Sequence, residues 1–169
     1  MLFLGGLITR PGAILGDMIV LIKAASKQIK QTRPPINTLT LEMIRTKTTL
    51  KPKCKTKAAE GRHLLPCVLH MLKMFFPPKN RHQELRLRCV ENLSKFYDVL
   101  GAPWDAASGP LAAKYARLHL SFYSDLSREA LSTLDHHSTG WLRWRLYPKH
   151  HLFIHVVEDQ IATSGSTCD

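Results

Sequence analysis

Apolar residues recur every three or four positions between Glu84 and Leu100, and this period predicts an amphipathic helix. The apolar side of this helix is formed by Leu85, Cys89, Leu93, Phe96 and Leu100. The opposite side carries charged and amide side chains, namely Arg86, Arg88, Glu91, Asn92, Lys95 and Asp98. The first set is expected to pack in a core and the second set to face water.

The same period predicts a helix from about Gly12 to Gln31, which ends before Pro34 because a residue that precedes proline disfavours helical geometry. Its apolar face is formed by Leu15, Met18, Ile19, Ile22 and Ile29, and its other face carries Lys23, Lys27 and Lys30. Because Arg10 and Asp17 interrupt the apolar run, it falls short of the roughly 18–20 apolar residues that cross a bilayer. A membrane partner is not expected.

A further helix is predicted from near Arg62 to Phe76, with Pro66 tolerated in its first turn. Its apolar stripe consists of Leu65, Leu69, Leu72 and Phe76. A long helix is predicted from Pro110 to about Leu134. Its apolar stripe consists of Leu111, Tyr115, Leu118, Phe122, Leu126 and Ala130.

These helices, with one more after Pro148, predict an all-α fold. We expect an irregular bundle of about four to five helices, with short connections between antiparallel neighbours and a basic, partly flexible N-terminal arm. The predicted divisions are an apolar N-terminal helix (1–33), a basic linker (34–60), a helical bundle domain (61–163) and a polar tail (164–169).

The charge balance favours an acidic partner. Twenty-four Lys and Arg against thirteen Asp and Glu give a formal net charge of +11 and a pI near 9.8. Such an excess attracts polyanions, of which nucleic acid comes first and anionic membrane surfaces second. A solvated positive surface that binds nothing specific is the alternative that composition leaves open.

Much of this charge lies in one segment, RTKTTLKPKCKTK, which spans residues 45–57 and which we call the arm. Its cations are Arg45, Lys47, Lys51, Lys53, Lys55 and Lys57, and it contains no acid. Like charges at this density repel one another and extend the chain. The arm is expected either to neutralise phosphates and act as a nuclear-import signal, or to be a solvated linker. The first interpretation favours an intracellular, nuclear rather than cytoplasmic, location.

A second candidate surface, which we call the C-terminal edge, interleaves aromatic and basic residues between positions 141 and 149. Its cations are Arg143, Arg145 and Lys149, and its aromatic residues are Trp141, Trp144 and Tyr147. Proteins that bind single strands combine stacking rings with cations in this way. The favoured interpretation of the tryptophans alone is core packing, with the arginines extending to solvent.

Candidate catalytic and metal-binding residues are few. His151 and His155 stand one helical turn apart, a spacing at which two imidazoles can share a metal ion. They are weak candidates, because the glutamate of an HExxH motif is missing and Leu152 and Phe153 follow His151. No serine lies in a GxSxG turn, and no glycine-rich loop leads to a lysine. We therefore expect a non-enzymatic protein without a cofactor or metal.

The four cysteines show no CxxC spacing, and reduced thiols in an intracellular compartment are expected. Cys67 and Cys89 occupy apolar helix positions, where a thiol behaves as a small hydrophobic group. Cys54 lies among lysines, which lower the pKa of a thiol, and is expected to be the most reactive.

Three stretches of the chain resemble a known group of sequences. They are KTKAAEGRHLLPCVLHMLKMFF, HQELRLRCVENLSKFYDVL and YPKHHLFIHVVEDQ. They resemble a family of uncharacterised helical proteins that look derived from mobile elements (transposons). The resemblance covers about Leu39 to Gln160 and is strongest at Ala58–Phe76 and Pro148–His155.

The resemblance implies an accessory helical module without catalytic residues to transfer. Members of the family continue beyond the last helix, so this chain, which stops at Asp169, is expected to be a truncated copy. The predicted function is non-specific binding of a DNA or RNA backbone through the arm and the C-terminal edge. The alternative is a structural domain, or one that binds another protein through an exposed apolar helix, with incidental positive charge.

Overall fold

A computed structural model describes residues 11–31, 36–44, 58–133 and 148–161. Their helices are α1 (Pro11–Gln28), α2 (Leu41–Ile44), α3 (Ala58–Phe75), α4 (Arg81–Gly101), α5 (Ser108–Thr133) and α6 (Pro148–His155), and α6 continues as a π-helix (Val156–Ile161). These segments contain no strand, so the predicted all-α fold is confirmed.

The chain divides into two compact units, Met1–Phe76 and Pro77–Asp169, which we call the first and the second unit. The division follows α3, whereas the sequence grouped α3 with the later helices and separated it from α1 at residue 60. The physical reason is that α3 shares an apolar core with α1. Periodicity identifies the apolar face of a helix but not the helix that covers it.

The C-terminal end of α1 is closed by a Schellman motif. Lys30 adopts a positive φ of 55°. Its amide donates to the Lys27 carbonyl at 3.1 Å, and the Gln31 amide donates to the Ser26 carbonyl at 3.0 Å. These two bonds satisfy carbonyl groups that a helix end otherwise leaves unpaired. The ordered turn thus reaches Gln31, as predicted, although the helix itself ends at Gln28.

The side chain of Gln31 joins α1 to α3. Its Oε1 accepts hydrogen bonds from Ser26 Oγ at 3.0 Å and from Cys67 Sγ at 3.2 Å. Its Nε2 donates to the His63 carbonyl at 2.9 Å. A single side chain therefore connects the end of α1 to the first half of α3.

The core of the first unit lies between α1, α3 and the segment that precedes α2. Its buried members are Ile22, Ala25, Ile36, Cys67 and Met71. Gln28 Oε1 lies 2.7 Å from His70 Nε2, and Gln31 contacts His63. Rising residue numbers on α1 thus meet falling numbers on α3, so the two helices are antiparallel.

One prediction for α3 is wrong and another holds in part. Pro66 lies in the interior of the helix rather than in its first turn, because α3 begins at Ala58. Leu72 of the predicted stripe is buried, whereas Leu65 and Leu69 are only half-buried. The other buried residues of α3 are Cys67 and Met71, which share a core with Ile22 and Ala25 of α1.

The second unit is built on α4, and the predicted apolar side of this helix is confirmed. Leu85, Cys89 and Phe96 are buried, and Leu93 and Leu100 pack against the core. Asn92 was expected to face water, and this expectation is wrong. Its side chain is buried, and Nδ2 donates to the Arg88 carbonyl at 2.8 Å. A bond within the helix thus takes the place of water.

The buried face of α5 overlaps the predicted apolar stripe only in part. It consists of Ala112, Ala113, Ala116, Leu120 and Leu126, of which Leu126 belongs to that stripe. Leu111 and Leu118, which belong to the predicted stripe, are exposed. Three of the buried residues are alanines that cluster with Phe96 of α4. The small side chains leave room for this ring, so volume complementarity rather than hydrophobicity selects the face.

The C-terminal helical segment completes the core of the second unit. Phe153 of α6 packs edge-on against Phe96, with ring centroids 5.3 Å apart. Val157 of the π-helix is buried in the same cluster. Arg117 Nε of α5 donates to Glu158 Oε1 at 2.9 Å. One core thus contains residues from α4, α5, α6 and the π-helix.

Candidate nucleic-acid interface

Most cations that were predicted to contact nucleic acid lie outside the described residues. These are the six cations of the arm (Arg45, Lys47, Lys51, Lys53, Lys55 and Lys57) together with Arg143 and Arg145. Lys149 belongs to α6, but its side chain is also outside the described part. The described residues do include Ile44 and Ala58, the residues that precede and follow the arm in the chain.

The positive charge is distributed unevenly between the two units. The first unit contains thirteen Lys and Arg against three Asp and Glu, whereas the second contains eleven against ten. The first unit therefore carries a formal +10 and the second a formal +1. A field of this asymmetry attracts a polyanion to one part of the chain. The difference in charge between the two units becomes visible once the chain is divided after Phe76, since the overall composition gives only the net charge of the whole chain.

Three exposed lysines lie in the second half of α1 and in the turn that closes it, and we call them the lysine stripe: Lys23, Lys27 and Lys30. Lys23 and Lys27 are four residues apart and lie on one face of the helix, about 6 Å apart along its axis at about 1.5 Å per residue. Lys30 follows the last helical residue, Gln28, and belongs to the Schellman turn. The acid of α1, Asp17, lies nearly two turns before Lys23. In the part of the chain that the structure describes, no carboxylate pairs with these ammonium groups.

Because α1 and α3 are antiparallel, Lys30 lies at the end of the helix pair where the arm joins α3. Gln31, which follows Lys30, contacts the His63 carbonyl. His63 lies five residues after Ala58, the first residue of α3, which corresponds to about 7.5 Å along a helix axis. The arm enters α3 at Ala58, so it enters at the end of the helix pair where Lys30 lies.

The lysine stripe is an exposed basic surface that the sequence analysis did not include among the candidate binding residues. The spacing of Lys23, Lys27 and Lys30 placed them on the solvent face of a helix, but they were not included among the residues expected to bind nucleic acid. The signal was the absence of neighbouring acids on that face. The missing information was that α3 covers the opposite face, which leaves the lysine side as the accessible surface of α1.

The histidines of the last helical segment give no metal site within the described residues. His155 Nδ1 lies 3.2 Å from Asp159 Oδ2, and His150 stacks on Tyr123 with ring centroids 4.5 Å apart. The side chain of His151 lies outside the described part. Among the residues the structure describes, no three His, Cys, Asp or Glu side chains are grouped to hold a metal ion.

Cys89 and His119 form a buried polar pair that the sequence did not single out. Cys89 Sγ lies 3.3 Å from His119 Nδ1, and the same Nδ1 lies 2.9 Å from the Cys89 carbonyl oxygen. Because a carbonyl can only accept, Nδ1 carries the proton. Burial raises the pKa of the Cys89 thiol to about 12. A neutral thiol is the opposite of the activated thiolate of a cysteine nucleophile, so the pair is structural.

The burial of His119 should make the second unit less stable in acid. Burial first, and then the neighbouring His150, lower the pKa of His119 below its ordinary value of 6.5, although the bond to the Cys89 carbonyl opposes them. Below pH 6.5 the unfolded chain therefore binds more protons than the folded chain. The free energy of unfolding should therefore be highest above pH 6.5. As the pH is lowered from 6.5, it should decrease by at most about 1.4 kcal/mol per pH unit for one proton.

Urea unfolding between about pH 7.5 and pH 5 measures this acid sensitivity. Tryptophan fluorescence reports on the second unit, because all three tryptophans lie in Pro77–Asp169. His119→Gln should flatten the pH dependence. An unchanged pH dependence in this variant would show that groups other than His119 cause the acid sensitivity.

The second unit also exposes an apolar pair. Leu152 and Val156 lie one turn apart, with 62% and 43% of their surface exposed. Isolated apolar side chains are normal on protein surfaces, whereas contiguous ones mark contact sites.

No helix of the described residues is long and apolar enough to cross a membrane.

Comparisons with protein-family models, with curated proteins and with solved structures find no match to this chain. Membership of a mobile-element family therefore stays a prediction from the resemblance. The fold, the charge distribution and the exposed side chains are the observations from which a function can be argued.

Proposed function

We propose that the chain is a non-enzymatic helical module of mobile-element origin that binds nucleic acid without sequence preference. The contacts would be made by the arm and by the C-terminal edge, through Arg45, Lys47, Lys51, Lys53, Lys55, Lys57, Arg143, Arg145 and Lys149. Lysine and arginine contacts to phosphates supply affinity but carry no sequence information. A nuclear location would follow if the arm also acts as an import signal.

The observation that carries the proposal is the concentration of positive charge in Met1–Phe76. Its three acids, Asp17, Glu42 and Glu60, can pair with only a minority of its thirteen cations. The second unit, with eleven cations and ten acids, is nearly balanced. Excess charge of one sign costs self-repulsion in the folded state, and a polyanion relieves this repulsion while it releases its own counterions.

A salt titration of binding to labelled, mixed-sequence duplex DNA and to a matched RNA tests the proposal. Each phosphate contact contributes about 0.9 to the slope of log K against log salt on duplex DNA. Six contacts from the arm would therefore give a slope of about 5 and a loss of affinity of about 10³-fold between 50 and 200 mM salt. Replacement of all six arm cations by glutamine should lower the slope by this amount and leave only the share of the C-terminal edge.

The matched control is a chain in which residues 45–57 are permuted, so that the charges remain and their order changes. Binding through charge alone predicts the same affinity and slope for the permuted and the natural arm. Absence of binding by the natural chain at low salt would contradict the proposal. A loss in the permuted arm equal to that in the glutamine variant would contradict binding without sequence preference.

A protein-interaction domain is the second candidate function. The exposed pair Leu152 and Val156 favours it, because these side chains lie beside a core residue, Val157, on a surface that a partner helix could cover. If the glutamine variant of the arm leaves polyanion binding unchanged, this second function is the better account.

A further inference from the structure

We propose that the lysine stripe is a second phosphate-binding surface, in addition to the arm. Lys23, Lys27 and Lys30 would contact the phosphodiester backbone of the same nucleic acid. The inference rests on the proposed function, and it adds three residues that the structure places on α1 and on the turn that closes it. The helical part of the first unit would then belong to the binding surface.

The exposure and spacing of the lysine stripe fit a phosphate backbone. All three side chains are exposed, and none pairs with a carboxylate in the part of the chain that is described. Lys23 and Lys27 lie about 6 Å apart along the helix axis, and the same length of duplex carries about three to four phosphates at 1.7 Å per charge. Each lysine therefore has more than one phosphate within reach, so the contact does not need a particular register.

The helix that carries the stripe is held in place from the opposite side. Ile22 and Ala25 are buried against α3, and the C-terminal turn is closed by the Schellman bonds of Lys30 and Gln31. Gln31 in turn contacts α3 through His63. Binding through the stripe would therefore order only the lysine side chains and not the backbone, which lowers the entropy cost.

The stripe lies at the end of the α1–α3 pair where α3 begins. Lys30 precedes Gln31, which contacts the His63 carbonyl, and Ala58, the first residue of α3, lies five residues before His63. The junction between the arm and α3 is therefore at the same end of the helix pair as Lys30.

Interaction with the dipole of α1 is a simpler account of part of the stripe. Lysines near a helix C-terminus stabilise the partial negative charge there, and Lys27 lies in the last turn. The effect falls off within one turn, so it does not account for Lys23. A contact to phosphates accounts for all three lysines and predicts a change in salt dependence, which the dipole does not.

An anionic membrane surface is the other polyanion that such a helix could bind. Helices of this kind insert their apolar face between lipid headgroups. The apolar face of α1, with Ile22 and Ala25, is buried against α3 and is not available for insertion. The exposed large apolar side chain on the lysine side is Val20 alone among the described residues of α1. The structure therefore favours nucleic acid.

The experiment compares the natural chain with K23Q/K27Q/K30Q in the salt titration on duplex DNA and on single-stranded RNA. Loss of three contacts should lower the slope of log K against log salt by about 2.7 on the duplex and by about 2 on the single strand. A charge-retaining variant, K23R/K27R/K30R, should keep the natural slope. Far-UV circular dichroism verifies that all variants remain helical.

The matched control is K79Q/R81Q/K114Q, which removes three exposed cations from the second unit. Both glutamine variants lower the net charge equally, so only a contact at the stripe separates them. The control should keep the natural slope. Equal decreases in the two variants would overturn the inference and assign the effect to overall charge.

The remaining outcomes separate this inference from the proposed function. If the natural chain binds nucleic acid and K23Q/K27Q/K30Q keeps the natural slope of log K against log salt, the inference about the lysine stripe is overturned. The proposed binding through the arm is not affected by that result. If the natural chain binds neither DNA nor RNA at low salt, the proposed function fails and the inference fails with it. Binding only to phosphatidylserine vesicles would overturn both in favour of a membrane surface.

Discussion

Phe96→Ala should lower the free energy of unfolding of the second unit by about 3–5 kcal/mol. The ring of Phe96 is only 3% exposed and packs edge-on against Phe153. Its other buried neighbours include Ala112 and Ala116, which are too small to fill the space that the ring would leave. The substitution would therefore leave a cavity in addition to removing apolar area from the core.

Urea unfolding followed by tryptophan fluorescence measures this effect, because the three tryptophans lie in the second unit. Phe96→Leu, which keeps most of the apolar volume, should cost less than Phe96→Ala. Leu118→Ala is the control from the predicted apolar stripe, and its exposed position predicts a cost below about 1 kcal/mol. A cost for Leu118→Ala as large as that for Phe96→Ala would contradict the exposed position of Leu118 and the packing of Phe96 against the alanines.

Gln31→Ala should lower the stability of the contact between α1 and α3 by about 1–3 kcal/mol. The side chain makes three hydrogen bonds, to Ser26 Oγ, Cys67 Sγ and the His63 carbonyl. Alanine makes none of them. The Cys67 thiol stays buried when Gln31 is removed and loses its hydrogen-bond acceptor. A buried polar group without a partner costs more free energy than the hydrogen bond itself contributed.

The rate of alkylation of Cys67 measures this opening, because the thiol is fully buried and reacts only when α1 separates from α3. Peptide mapping distinguishes it from the other cysteines. A destabilisation of about 1–3 kcal/mol corresponds to a rate about 5–150 times faster. Gln28→Ala, which removes an exposed contact to His70, should have a smaller effect. Unchanged protection of Cys67 in Gln31→Ala would show that the apolar contacts alone hold the pair together.

The sequence by itself determined where helices form and, for α4, which side is buried. The period that includes Leu85 and Phe96 is a property of neighbouring turns, so it can be read without the rest of the fold. The burial of Cys67 and Cys89 could be predicted for the same reason, since both lie at apolar helix positions. The excess of basic residues, and with it the expectation of an acidic partner, also requires only the sequence.

The candidate site was predictable only in part. The arm was identified from its composition, and its residues lie outside the described part of the chain. The lysine stripe was seen as a solvent face but not as a surface of its own. Whether Lys23 and Lys27 are accessible, and whether Lys30 lies near the arm, depends on the antiparallel contact between α1 and α3, which joins residues far apart in sequence.

Only the tertiary structure decided which helices share a core. It placed the division after Phe76, buried the alanines of α5 while it left Leu111 and Leu118 exposed, and buried Asn92. These outcomes depend on volume complementarity and on hydrogen bonds between or within packed helices, as at Gln31. Hydrophobic periodicity describes one helix at a time, so it determines the secondary structure here, whereas the pairing of helices follows from contacts that form only in the folded chain.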